Sequence, residues 1–69
     1  MLVVKVKDVE RGKYVVVMGD TYHVRNVLKK IGFKWNAISS YWYIVTQNVE
    51  NVIDELKKLD NVDVVYEQA

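Results

Sequence analysis

Five of the eight aromatic residues in this sequence fall between positions 33 and 43: Phe33, Trp35, Tyr41, Trp42 and Tyr43. Four cations, Arg25, Lys29, Lys30 and Lys34, lie just before or within the same stretch. Rings beside cations are the chemistry of a nucleic-acid surface, because rings stack on bases while Lys and Arg meet phosphates. The competing chemistry is burial. Each aromatic side chain removes about 150–250 Å² from water, so a small domain also concentrates rings in its core. Taken singly, Trp35 and Trp42 read as core; Tyr41, Tyr43 and Lys34 read as a group at the surface.

No other set of residues offers chemistry of comparable weight. The sequence has no nucleophile elbow and no phosphate loop, and Gly19 and Gly32 have no companions at dinucleotide-motif spacing. His23 stands three residues after Asp20, but acid–base catalysis also needs a cleft and a third group. A His at a helix start is more often a surface or capping residue. With no Cys, disulfides and thiolate metal sites are excluded, and the single His cannot build a zinc site without several carboxylates. The reading is therefore a binding protein and not an enzyme, with no cofactor and no metal.

The elements that must position the aromatic stretch can be read on either side of it. Residues 2–7 alternate, with Leu2, Val4 and Val6 opposite Val3, Lys5 and Lys7, which predicts a strand. Residues 8–12 form a polar connection of hairpin length ending in Gly12. Lys13 to Met18 form a second strand whose Val run predicts a central position with both faces partly covered. Asp20 or Thr21 is expected to cap a helix over 21–31, in which Val24, Val27, Leu28 and Ile31 share a face and Gly32 ends it. Phe33-Lys34-Trp35 reads as a short extended piece, 36–40 as a loop, and 41–46 as a strong strand. Asn48 is expected to cap a second helix over about 49–59, with Val49, Val52, Ile53 and Leu56 on one face. Asp60-Asn61 turns the chain into a last strand over 62–67. On the 41–46 strand, Trp42 and Ile44 are expected inward with Phe33, and Tyr41 and Tyr43 outward.

The order β-β-α-β(β)-α-β, with one apolar stripe per helix, predicts an α+β fold: a mostly antiparallel open sheet with both helices on one face. Sixty-nine residues make one small domain, 1–69. Such a chain buries only about 60% of its unfolded surface, so a homodimer is an expected source of further burial. No run of about 18 apolar residues is present, so no spanning helix and no membrane partner is expected. The N-terminal alternation lacks the apolar core of a signal peptide, and a cytoplasmic location is the expectation. The formal charge of +1 conceals an asymmetry. Residues 1–34 hold eight basic against three acidic residues, and residues 35–69 hold two against six. That division points to a basic face for a polyanion.

The pattern Gly19-x-Thr21-Tyr22-x-Val24-Arg25-x-x-Leu28-Lys29-x-Ile31-Gly32-Phe33-x-Trp35-Asn36, with Trp42 following, is similar to small modules of phage, plasmid and archaeal proteins. It loosely resembles the HARP domain of annealing helicases and the damage-recognition-like domain of archaeal repair helicases. The resemblance covers residues 19–46. It implies a helix, a Trp-containing extended turn and a Trp-bearing strand attached to DNA handling. It implies contacts from Arg25 and Lys29 on the helix and from Lys34, Trp35 and Asn36 on the hairpin. This sequence departs from those helicases in carrying no motor or nuclease, so the expected module acts by binding alone.

The expectation is a stand-alone nucleic-acid-binding module, with DNA favoured over RNA, that uses a basic helix side and an aromatic hairpin. Its candidate contacts are Arg25, Lys29, Lys30, Lys34, Trp35, Asn36, Tyr41 and Tyr43. The alternative is a protein-interaction module, an adaptor or inhibitor working through a sheet edge or the open sheet face.

Overall fold

The computed structural model describes residues 2–59 and 61–67. Two long strands, β1 (Leu2–Val9) and β2 (Gly12–Gly19), form an antiparallel hairpin around Glu10-Arg11. Both strands extend further than the sequence implied, since pairing of Val9 with Gly12 and Asp8 with Lys13 absorbs most of the polar connection. Lys13 and Asp8 form an ion pair across that end. Gly12 is required there for two reasons. Its φ of 138° is open to glycine, and a Cβ would sit 2.7 Å from the Thr46 carbonyl oxygen.

The chain then passes through a 3₁₀ turn (Tyr22–Val24) into α1 (Arg25–Ile31). Neither Asp20 nor Thr21 caps this segment with its side chain. Thr21 is buried, and Asp20 lies 3.7 Å from His23 Nδ1. The Val24 N–H instead donates to the Thr21 carbonyl at 3.1 Å, the tighter pairing that satisfies a helix start without a side chain. The expected helix over 21–31 is thus a 3₁₀ turn followed by a shorter α-helix. Gly32 ends it at φ 121°, its N–H returning to the Leu28 carbonyl at 3.1 Å.

Next come β3 (Lys34–Asn36), β4 (Tyr41–Thr46), α2 (Val49–Lys57) and β5 (Val62–Glu67). Asn36 belongs to β3 rather than to the loop. Its Oδ1 accepts from the Ile38 and Ser39 N–H groups, at 3.1 Å each, and so folds the turn that follows. Asn48 occupies the N-cap position of α2 without a capping side-chain bond; its own N–H donates to Thr46 Oγ1 at 3.0 Å. Of the expected Asp60-Asn61 turn, Asp60 lies outside the described residues, and Asn61 takes a left-handed φ of 58°.

The five strands form one open sheet in the order β3-β4-β2-β1-β5, antiparallel except for the β1–β5 pair. The fold is α+β, with a mostly antiparallel sheet and two helices. Leu2, Val4, Val6, Val15, Val17 and Trp42 on one sheet face meet Val24 and Leu28 of the first helical segment, Phe33, and Val52, Ile53 and Leu56 of α2. Val27 was expected on the inward stripe of α1 but is partly exposed, because the seven-residue helix buries only Leu28 fully. β2 is central, between β1 and β4, and Val15, Val16 and Val17 are all buried. The helices cover Val15 and Val17. Val16 faces the other way, where no helix packs, and is still only 8% exposed.

Candidate nucleic-acid interface

The cover over Val16 comes from a single transverse row on the open face. Register places Lys34, Tyr43, Val16, Lys5 and Val65 side by side across all five strands. Above and below Tyr43 stand two more tyrosines. Tyr14 stacks on Tyr43 with ring centroids 6.0 Å apart and planes 26° apart. Tyr41 meets Tyr43 edge-on at 6.4 Å and 86°. The Tyr14 and Tyr41 hydroxyls close the group with a 3.1 Å hydrogen bond. That bond, with burial and the neighbouring phenols, pushes the Tyr14 pKa up to about 12. The three rings form one interlocked platform on an otherwise open sheet. In the row Lys34 is next to Tyr43 and Lys5 lies beyond Val16, with Lys7 opposite Tyr14 on β1. On β5, Asp63 pairs with Val3 and Glu67 with Lys7, so two acidic positions occupy the register rows on either side of the Lys5 row.

Tyr41 and Tyr43 lie where alternation put them, opposite in face to the buried Trp42 and to Ile44, which packs against the core. Tyr14 was missed as a site residue. Its outward position is legible only by assigning Val15 and Val17 inward, and its contact with Tyr43 depends on the β2–β4 register.

The remaining candidates lie elsewhere. Trp35 follows Lys34 on the same strand and so faces the opposite way. It pairs with Trp42, ring centroids 5.3 Å apart, and remains 48% exposed. Trp35 lines a groove of about 470 Å³ together with Tyr22, Arg25 and Lys29. The Arg25 guanidinium sits 4.1 Å from the centroid of the Tyr22 ring, and its Nη1 donates to the Tyr22 carbonyl at 2.6 Å. Lys30 belongs to neither surface. It borders a depression between the helices with Val27, Ile31, Asn51, Val52 and Glu55. The eight candidates therefore divide three ways: Lys34, Asn36, Tyr41 and Tyr43 on the open face, Arg25, Lys29 and Trp35 in the groove, and Lys30 apart. Asn36 sits at the margin of the open face with its side-chain oxygen engaged in the turn.

His23 and Asp20 are both solvent-exposed, and among the described residues no three His, Cys, Asp or Glu side chains come together as a metal site. No helix of the described residues is long and apolar enough to cross a membrane. In comparisons with known proteins, the chain matches no family model, no curated protein and no solved structure.

Proposed function

We propose that this chain is a nucleic-acid-binding module whose open sheet face receives unpaired bases, with DNA favoured over RNA. The observation that carries the reading is the Tyr14–Tyr41–Tyr43 platform with Lys34 next to Tyr43 and Lys7 next to Tyr14 in the register. A sheet with helices on one side and rings on the other presents aromatic faces at fixed height, the arrangement on which bases stack. Stacking contributes about 1–3 kcal/mol per base and tolerates any sequence. The lysines supply phosphate contacts, each releasing counterions. A cluster of half-buried rings, with Tyr41 set edge-on to Tyr43, suits the unpaired bases of a single strand, since the bases of a duplex are already stacked on one another. The preference for DNA follows the resemblance to DNA-handling modules.

Anisotropy titration of labelled single-stranded, duplex and ribose oligonucleotides tests the reading. Single strands are expected to bind best. With about three phosphate contacts, the logarithm of affinity should fall against the logarithm of salt with a slope of about −2. No binding at low salt, or binding indifferent to salt, overturns it.

A second reading rests on a different feature. β5 is a six-residue edge strand with Val65 and Tyr66 exposed and no proline, so it offers free backbone groups to another strand. A protein partner or a second copy would extend the sheet there. Sedimentation equilibrium at micromolar concentration distinguishes a homodimer from a monomer, and a nuclease-insensitive partner in a pull-down would favour a protein ligand.

A further inference from the structure

The groove on the helix side is separate from the tyrosine platform and has its own chemistry. Its floor is the Trp35–Trp42 pair, and Tyr22 stands exposed at its border. Its charged groups are ordered along one line of the chain: Asp20 before the 3₁₀ turn, Arg25 at the start of α1 and Lys29 one turn further on. One turn of α-helix advances about 5.4 Å, so the backbone carries Lys29 a turn beyond Arg25, on the side of the groove away from Asp20. Arg25 lies between them, already oriented on the Tyr22 ring and the Tyr22 carbonyl. A volume of about 470 Å³ lies within the range of small-ligand sites.

From this arrangement we infer that the groove binds a single nucleoside 5′-monophosphate unit. Its base lies against the half-exposed Trp35, since the Tyr22 ring already carries the Arg25 guanidinium, and its phosphate is held at the Lys29 end. Planar apolar walls and two cations match a base joined to an anion. The Asp20 carboxylate repels phosphate from the far end and so sets the direction of the ligand. Such a unit has two sources, a free nucleotide or one residue of a bound strand. The nucleic-acid reading bears only on the second. For a strand, the platform and the groove lie on opposite faces of the short edge strand β3, and the chain of phosphates would pass around that edge beside Lys34.

The test follows backbone amide and indole N–H resonances of the 69-residue chain during titration with deoxycytidine 5′-monophosphate, deoxycytidine and inorganic phosphate. The nucleotide is expected to shift the Trp35 indole and the Arg25 and Lys29 amides saturably. The nucleoside should do so more weakly, and phosphate alone should not saturate them. Lys29→Gln, at an exposed position, should weaken nucleotide binding about fivefold towards the nucleoside's affinity, as expected for loss of one solvent-exposed charge contact. Trp35→Ala should remove the saturable response. Equal shifts from phosphate and nucleotide, or a nucleotide response confined to Tyr14 and Tyr43, overturn the inference. Anisotropy with an oligonucleotide separates the two claims. Strand binding lost in Tyr43→Ala but unchanged in both Trp35→Ala and Lys29→Gln overturns the groove as part of a strand site and leaves the platform. Mononucleotide binding in the groove without any strand binding supports the groove and overturns the platform.

Discussion

The open sheet face and the helix-side groove use the same residue types to different ends. On the open face three tyrosines hold one another by stacking, an edge contact and a hydroxyl pair, and lysines stand in the neighbouring strands. In the groove a tryptophan leans on a buried tryptophan, and an arginine rests on a tyrosine at the border. The first surface is a cluster of half-buried rings packed on one another. The second is concave and suits one planar unit with one charge. Aromatic and cationic composition alone does not distinguish them; the difference lies in whether the rings pack on one another or around a space. The hinge between the two is β3, where the pleat sends Lys34 and Trp35 to opposite faces although they are neighbours in the chain.

The largest disruption should come from Trp42→Ala, because Trp42 is both the floor of the groove and part of the core behind the platform. Loss of a buried Trp costs about 3–5 kcal/mol. A chain of this length has a total stability on the order of 7 kcal/mol. Urea unfolding should show much of it gone, and both surfaces should fail together. Gly12→Ala should come next, at about 2 kcal/mol, since the added Cβ meets the Thr46 backbone and the φ is unfavourable. It should disturb the β2–β4 pairing that seats Tyr14 beside Tyr43 and leave the Trp35 indole resonance in place. Retained Tyr14–Tyr43 contacts by nuclear Overhauser effects would count against that division.

Tyr43→Ala should remove the centre of the ring cluster beside buried Val16, at a smaller cost to folding than Trp42→Ala. Strand affinity should drop by about 1–3 kcal/mol, roughly 5- to 150-fold, with the groove resonances unchanged. The smallest effect concerns pH. Tyr14 holds its proton more tightly folded than unfolded, so its contribution to stability is complete below pH 10, its unfolded value, and is lost as pH rises towards about 12. Tyr14→Phe, or Tyr41→Phe, should flatten this alkaline decline in unfolding experiments. Tyrosinate absorbance should show a late-ionising component in the wild-type chain that is lost in Tyr14→Phe.

The elements were largely legible because their signals are local. Period-two runs marked β4 and β5 at their observed limits, and the stripe Val49, Val52, Ile53 and Leu56 marked α2. The start of α1 was harder to read. Asp20 and Thr21 have the composition of caps, but Thr21 is buried against the core and Asp20 lies beside His23, so the turn tightens instead. Val27 had the right spacing to be inward, yet a helix of seven residues against this sheet covers less than a full stripe. In the candidate site, the outward faces of Tyr41 and Tyr43 followed from alternation. The separation of Trp35 from Lys34 follows from the same alternation along β3, whereas the membership of Tyr14 and the isolation of Lys30 do not.

Alternation along each strand and the apolar stripe on α2 are properties of consecutive residues, so the amino-acid order determined which side chains of an element share a face. It also determined that Gly32 ends the first helix, since the left-handed turn there favours glycine. Only the tertiary structure decided that β2 lies between β1 and β4, that Tyr14 therefore stands beside Tyr43, and that Arg25 and Lys29 line the groove while Lys30 lies apart. Strand order and register are chosen by how both faces of the sheet are covered at once. That choice depends on residues far apart in the chain, and no local pattern records it.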